Sequence, residues 1–161
     1  MKPKVVKKSS RGFTIIELAI AIIVIAILIS GIVVGTRSLT SGARADNLTE
    51  FISSYEATMK QAKMECSNQL SQIASDSGNA TNLTNDLHNC GVLTPSESLP
   101  STYQGGTITY ITNNITSNGQ YGIQINGLDS ALVTKIMNQL NQKYPNACTS
   151  SANQINCTFG T

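Results

Sequence analysis

Glu17 is the sole acid in the first 45 residues, and it stands at the front of an unbroken apolar run. A carboxylate turned to lipid at the centre of a helix costs about 2.5–3.5 kcal/mol. Two roles suit such a group. Thr14-Ile15-Ile16-Glu17 has the spacing of a capping box, and an acid in the first turn complements the helix dipole. Alternatively the acid waits for a cation. Four cysteines, Cys66, Cys90, Cys148 and Cys157, all follow the apolar run. Their even number and wide spacing suit disulfides in an oxidising compartment better than a zinc site. The single histidine, His88, lies in the polar stretch Asn85-Asp86-Leu87-His88-Asn89 with no second imidazole anywhere. Metal clusters and histidine-based triads therefore lack their donors. No set of side chains is spaced to supply nucleophile, base and oxyanion donor. The sequence reads as a non-enzyme without cofactor or metal.

The element that holds Glu17 is legible. From Leu18 to Thr36, 19 consecutive residues carry no charge. As a helix they rise roughly 28 Å, close to the thickness of a bilayer's hydrocarbon core. Lys2, Lys4, Lys7, Lys8 and Arg11 precede the run without any acid, which keeps the N-terminus cytoplasmic and sends the remainder outward. The run is longer than the apolar core of a secretory signal, and Ser41-Gly42-Ala43 lies too far beyond it for an ordinary cleavage site. Without the basic head, residues 13–161 hold six cations against nine acids, a net of −3. A strongly basic nucleic-acid-binding domain is excluded. Ser, Thr and Asn supply 50 of the 161 residues, so the polar surface is built from hydroxyls and amides.

Arg11-Gly12-Phe13-Thr14-Ile15-Ile16-Glu17-Leu18, followed by the aliphatic helix, resembles the N-terminus of type IV prepilins and their pseudopilin relatives. The resemblance covers residues 1–36. It implies that a membrane peptidase cuts after Gly12 and methylates Phe13, the new N-terminal residue. It also implies that Glu17, five residues into the mature chain, governs assembly. Physics gives that arrangement a reason. Cleavage frees an ammonium on Phe13 one turn from Glu17, where the helix backbone prevents good pairing within one chain. In a filament, a neighbour shifted along the axis can bring its ammonium to this carboxylate in a dry core. Removing one member of a buried ion pair costs about 3–5 kcal/mol, so the pair penalises wrong registers. Gly31 and Gly35 form a small-xxx-small pair, suited to close helix approach or, at roughly 1 kcal/mol each relative to alanine, to local unwinding. Many pilins carry a proline nearby, where this chain has Val34.

Beyond the apolar run the helical period continues. Leu48, Ile52, Tyr55, Met59, Ala62, Cys66, Leu70 and Ile73 recur at steps of three and four, and no Pro or Gly interrupts residues 43–77. The spacing predicts one helix from about Thr14 to Ser75, its second half packed on a head; a strict heptad is not sustained. Asp76–Asp86 reads as a surface loop. Thr107–Ile115 and Tyr121–Asn126 read as strands joined by a turn at Asn118-Gly119. Asp129 caps a helix through Leu140 that Pro145 ends, and Gln154–Phe159 alternates as a last strand. The fold class is α+β: a long N-terminal helix against a small antiparallel sheet with an extra helix. The domain plan is a leader at 1–12, an assembly helix at 13–36, an amphipathic continuation at 37–75 and a globular head at 76–161. Four cysteines allow three connectivities. The preferred one is Cys66–Cys90, tying helix to returning loop, with Cys148–Cys157 closing a C-terminal hairpin.

The segment Gly122-Ile123-Gln124-Ile125-Asn126-Gly127-Leu128-Asp129-Ser130-Ala131 is similar to the strand–GL–helix element of toxin-coregulated-pilus-like, type IVb pilins. Val133 stands where those pilins often have a helix cysteine, the leader is shorter than theirs, and Phe13 follows the type IVa habit. The resemblance implies a homo-oligomeric helical filament serving adhesion, motility or DNA uptake. Its implied partners are prepilin peptidase, the assembly platform, minor pilins and the membrane. The precursor is then expected in the inner membrane with its head outside the cytoplasm, and the assembled form in an extracellular pilus. A host surface or DNA is a further partner class, the latter disfavoured by the −3 balance. The competing readings are a minor pilin or secretion pseudopilin with a binding head, and a plain membrane anchor.

Overall fold

The computed structural model describes residues 15–160; the side chains of residues 15, 17, 21 and 23–39 lie outside the described part. Two compact units divide the chain after Thr40. Helix α1 is assigned over Ile15–Glu65 and contributes to both.

In the unit that begins at Ser41, α1 buries Ala45, Leu48, Ile52, Tyr55, Met59 and Ala62, and Cys66 just past its end is buried as well. These positions follow the three-and-four spacing of one helical face, which the apolar pattern predicts. The face packs on the sheet through aromatic contacts. The Tyr55 ring lies 5.1 Å from Tyr110 and 6.3 Å from Tyr121, and its hydroxyl donates to the Gly122 carbonyl at 3.0 Å.

The helix does not continue to Ser75 as one piece. It stops at Glu65, passes through a 3-10 turn at Ser67–Gln69 and resumes as α2 (Leu70–Ser75). Cys66 leaves helical geometry at ψ 23°, and the Gln69 N–H bonds back to the Cys66 carbonyl three residues earlier. Ser67 and Asn68 are poor helix formers because their side chains compete for backbone groups. Ile73 is nevertheless fully buried, so the stripe survives the break.

A second correction concerns the expected loop. Residues Ala80–Asn89 form a helix, α3. Asn79 caps it by accepting from the Asn82 N–H at 3.1 Å, and Leu83, Thr84 and Leu87 are buried beneath it.

Five antiparallel strands follow: β1 (Thr102–Tyr103), β2 (Gly106–Ile111), β3 (Tyr121–Asn126), β4 (Cys148–Ser151) and β5 (Gln154–Phe159), in the order β1-β2-β3-β5-β4. The register sets Ile108, Ile125 and Ile155 in one buried row, and Tyr110, Ile123, Cys157 and Cys148 in the next. Strand β2 ends four residues short of the expected Ile115, and the connection to β3 spans residues 112–120. Ile115 is buried within that connection instead, and Gly119 takes φ +71° in it.

Helix α4 (Ser130–Lys143) fills the space beside α1. The Asp129 carboxylate accepts from the N–H groups of Ala131 and Leu132, and the helix ends before Pro145, both as the sequence predicts. Lys135, Gln139 and Lys143, spaced by four, face α1. Lys135 donates to Ser41, Gln139 bonds Asp46 and Thr49, and Lys143 donates to Ser53. The architecture is α+β, a helix layer on one five-stranded antiparallel sheet.

Candidate functional site

The residues singled out for processing and assembly sit at the N-terminus. Gly12 and Phe13 lie outside the described residues. The backbone of Glu17 is helical within α1, and its side chain also lies outside the described part.

What the first unit does display is the surroundings of Glu17. Ile16, Leu18, Ile20 and Ile22 are exposed by 57–73%. Steps of two residues turn a helix by roughly 200°, so successive members of this set point to opposite sides. The described start of α1 therefore has apolar groups on both sides. A helix that is apolar all round requires burial on every side, by lipid or by other chains. Among the described residues no helix is long and apolar enough to cross a membrane; most side chains of the Leu18–Thr36 run are outside that set.

The second unit carries the cysteines and is held together by them. Cys66 and Cys90 are bonded with their Cα atoms 5.5 Å apart, tying the end of α1 to the end of α3. Cys148 and Cys157 are bonded across the paired strands β4 and β5, Cα to Cα 4.0 Å. All four cysteines are thus structural, and the pairs are those that the sequence reading prefers.

Several polar groups of the head are legible only in three dimensions. Glu56 is 8% exposed and pairs with Lys60 one turn on. Its carbonyl accepts from the Tyr121 hydroxyl at 3.3 Å. Burial pushes the Tyr121 hydroxyl up to about 12, with a smaller push from Glu56, and raises Tyr55 and Tyr110 further. These phenols are donors buried between α1 and the sheet, out of reach of proton-transfer chemistry at neutral pH. His88 places its Nε2 2.6 Å from the Glu97 carbonyl, and the Glu97 carboxylate accepts from the N–H and hydroxyl of Thr94. The Thr94 N–H and hydroxyl hold the Glu97 carboxyl below its usual range. His88 therefore pins a loop. A cleft of about 450 Å³ opens there between Thr81, Thr84, Asn85 and His88 on α3 and the loop Pro95–Leu99.

Residues 7–33 match a family model described as the prokaryotic N-terminal methylation motif. No curated protein and no solved structure matches the chain. The matched segment spans Gly12, Phe13, Glu17 and most of the apolar run, so the processing residues and the hydrophobic helix fall within one motif. The chain thus carries, at residues 7–33, the N-terminal methylation motif, which is the prepilin signature shared by type IV pilins and pseudopilins.

Proposed function

We propose that this protein is a structural subunit of a type IV pilus, made as an inner-membrane precursor with its head outside the cytoplasm. In this reading prepilin peptidase removes residues 1–12 by cutting after Gly12 and methylates Phe13. Residues 13–36 then leave the bilayer for the core of a helical filament, residues 37–75 carry them into the head, and residues 76–161 complete it. Assembly proceeds on a platform with minor pilins, and the finished filament serves adhesion, motility or DNA uptake at the cell surface.

The observation that carries this reading is the methylation motif at residues 7–33 together with the apolar, exposed start of α1. A helix lacking a polar face suits lipid before assembly and neighbouring copies afterwards, because both environments are dry. The disulfide-bonded head with its hydroxyl and amide surface suits an oxidising exterior.

Electron microscopy and mass spectrometry of sheared cell-surface material test it. An abundant filament whose subunit begins at methylated Phe13 is the expected result. A subunit that is processed but scarce in filaments would assign the chain to the minor pilins or secretion pseudopilins, which share the same signature. A chain still beginning at Met1 and never polymerised would overturn the reading.

A further inference from the structure

Two acids meet inside the loop closed by Cys66–Cys90. Asp76 caps the C-terminus of α2 and is 8% exposed. The strap that follows it is stapled to the sheet. The Gly78 N–H donates to the Tyr110 carbonyl at 2.7 Å, and the Ser77 hydroxyl accepts from the Thr112 N–H at 3.3 Å. Asp86 lies in the last turn of α3, with its side chain hydrogen-bonded to that of Asp76. Its Oδ2 is buried and receives no N–H or O–H donor from the rest of the head.

Among the described residues, no cation is paired with either acid. From the strap, the Asn79 side chain is occupied by the Asn82 N–H. From β2, the Tyr110 hydroxyl donates to Pro100. From α3, the His88 ring engages the Glu97 carbonyl. Among the described residues, Asp76 is the one charged group that acts on Asp86. Both acids also stand at helix C-termini, where the backbone dipole disfavours negative charge. Two carboxyls can hydrogen-bond each other only while one keeps its proton, since carboxylates are acceptors only.

We propose that Asp76 and Asp86 form a proton-held clasp that docks α3 on the strap after α2, and that α3 loosens when the proton leaves. Asp86 donates to the Asp76 carboxylate in the closed form. Burial, then the hydrogen bond and the charge of Asp76, push the Asp86 carboxyl up to about 6. The folded head therefore binds more protons than the unfolded chain between about pH 4 and pH 6. Stability from the clasp is complete below about pH 4 and is lost as the pH rises from there through about 6. Released from Asp76, α3 stays tethered by Cys90 and by buried Leu83 and Leu87. Because α3 forms one wall of the cleft at His88, the clasp sets the shape of that cleft.

The test uses the full-length mature chain in detergent micelles. Carbon NMR of the Asp86 carboxyl is expected to give a midpoint near pH 6; a midpoint near 4 overturns the proposal. Amide exchange, corrected for intrinsic rates, is expected to show α3 protection falling about tenfold between pH 5 and pH 7.5. Asp86→Asn, which donates to Asp76 at any pH, is expected to abolish that fall. His88 is the other ionisable side chain of α3, so His88→Gln is the control and is expected to keep the fall. A flat wild-type profile, a fall that persists in Asp86→Asn, or one that vanishes in His88→Gln each overturns the clasp.

Discussion

Glu17 matters because its position sets electrostatics against solvation. In the proposed reading, an acid one turn from a newly freed amine is tolerated in the membrane near the interface, yet is fully neutralised only by an amine that the register of a neighbour delivers. Glu17→Ala is accordingly expected to insert and to be cleaved like the parent, while filament yield on sheared cells falls at least tenfold. Normal filaments from that variant would remove the register role. Within the head, Asp129 offers a smaller test of the same kind. It accepts from two N–H groups of α4, and Asp129→Ala is expected to cost about 1 kcal/mol in denaturant unfolding. Asp129 was legible because a cap needs only its own next three residues. Glu56, Asp76 and Asp86 were not, because burial of an acid depends on elements far away in the chain. Asp86 reads as a solvated loop acid until α3 is folded against the strap.

Among the elements, the buried face of α1 and the strands Tyr121–Asn126 and Gln154–Phe159 follow from periodicity alone, since each buries one face on a common core. Helix α3 escaped because Asn and Thr dominate Ala80–Asn89 and mask two apolar positions four apart, Leu83 and Leu87. The cue was Asn79, whose capping side chain marks a helix start. The break at Cys66 escaped because a 3-10 turn keeps the apolar stripe in phase while ending the helix. Strand β3 supplies a stringent test of packing. A Cβ on Gly122 would lie 2.5 Å from the Cys157 carbonyl oxygen, a backbone atom of the adjoining strand. Gly122→Ala should therefore separate β3 from β5 and cost about 1–3 kcal/mol, read as a lower denaturant midpoint at unchanged slope. The polar ladder from α4 to α1 is gentler. Gln139 reaches both Asp46 and Thr49, and Gln139→Ala is expected to lose about 1 kcal/mol by the same measurement.

For the whole molecule, the chemistry is divided by location. Five cations and the apolar run occupy the first 36 residues, and both disulfides lie in the unit from Ser41 onward. The unit from Ser41 onward, with no Trp and two Phe, has a modest core, so its cross-links carry a large share of its stability. Reducing each bond is expected to cost about 2–4 kcal/mol, seen as a lower Tm in reductant. The division also explains why the sequence disclosed the head's fold more fully than its role. The fold rests on local periodicity and a few long-range pairs, whereas the proposed role rests on contacts between copies. The most direct measurement is therefore a filament reconstruction by electron cryomicroscopy that resolves side chains near the axis. The account predicts the Glu17 carboxylate within about 4 Å of the methylated Phe13 nitrogen of a neighbouring subunit. A filament in which Glu17 meets no amine of another chain would contradict it.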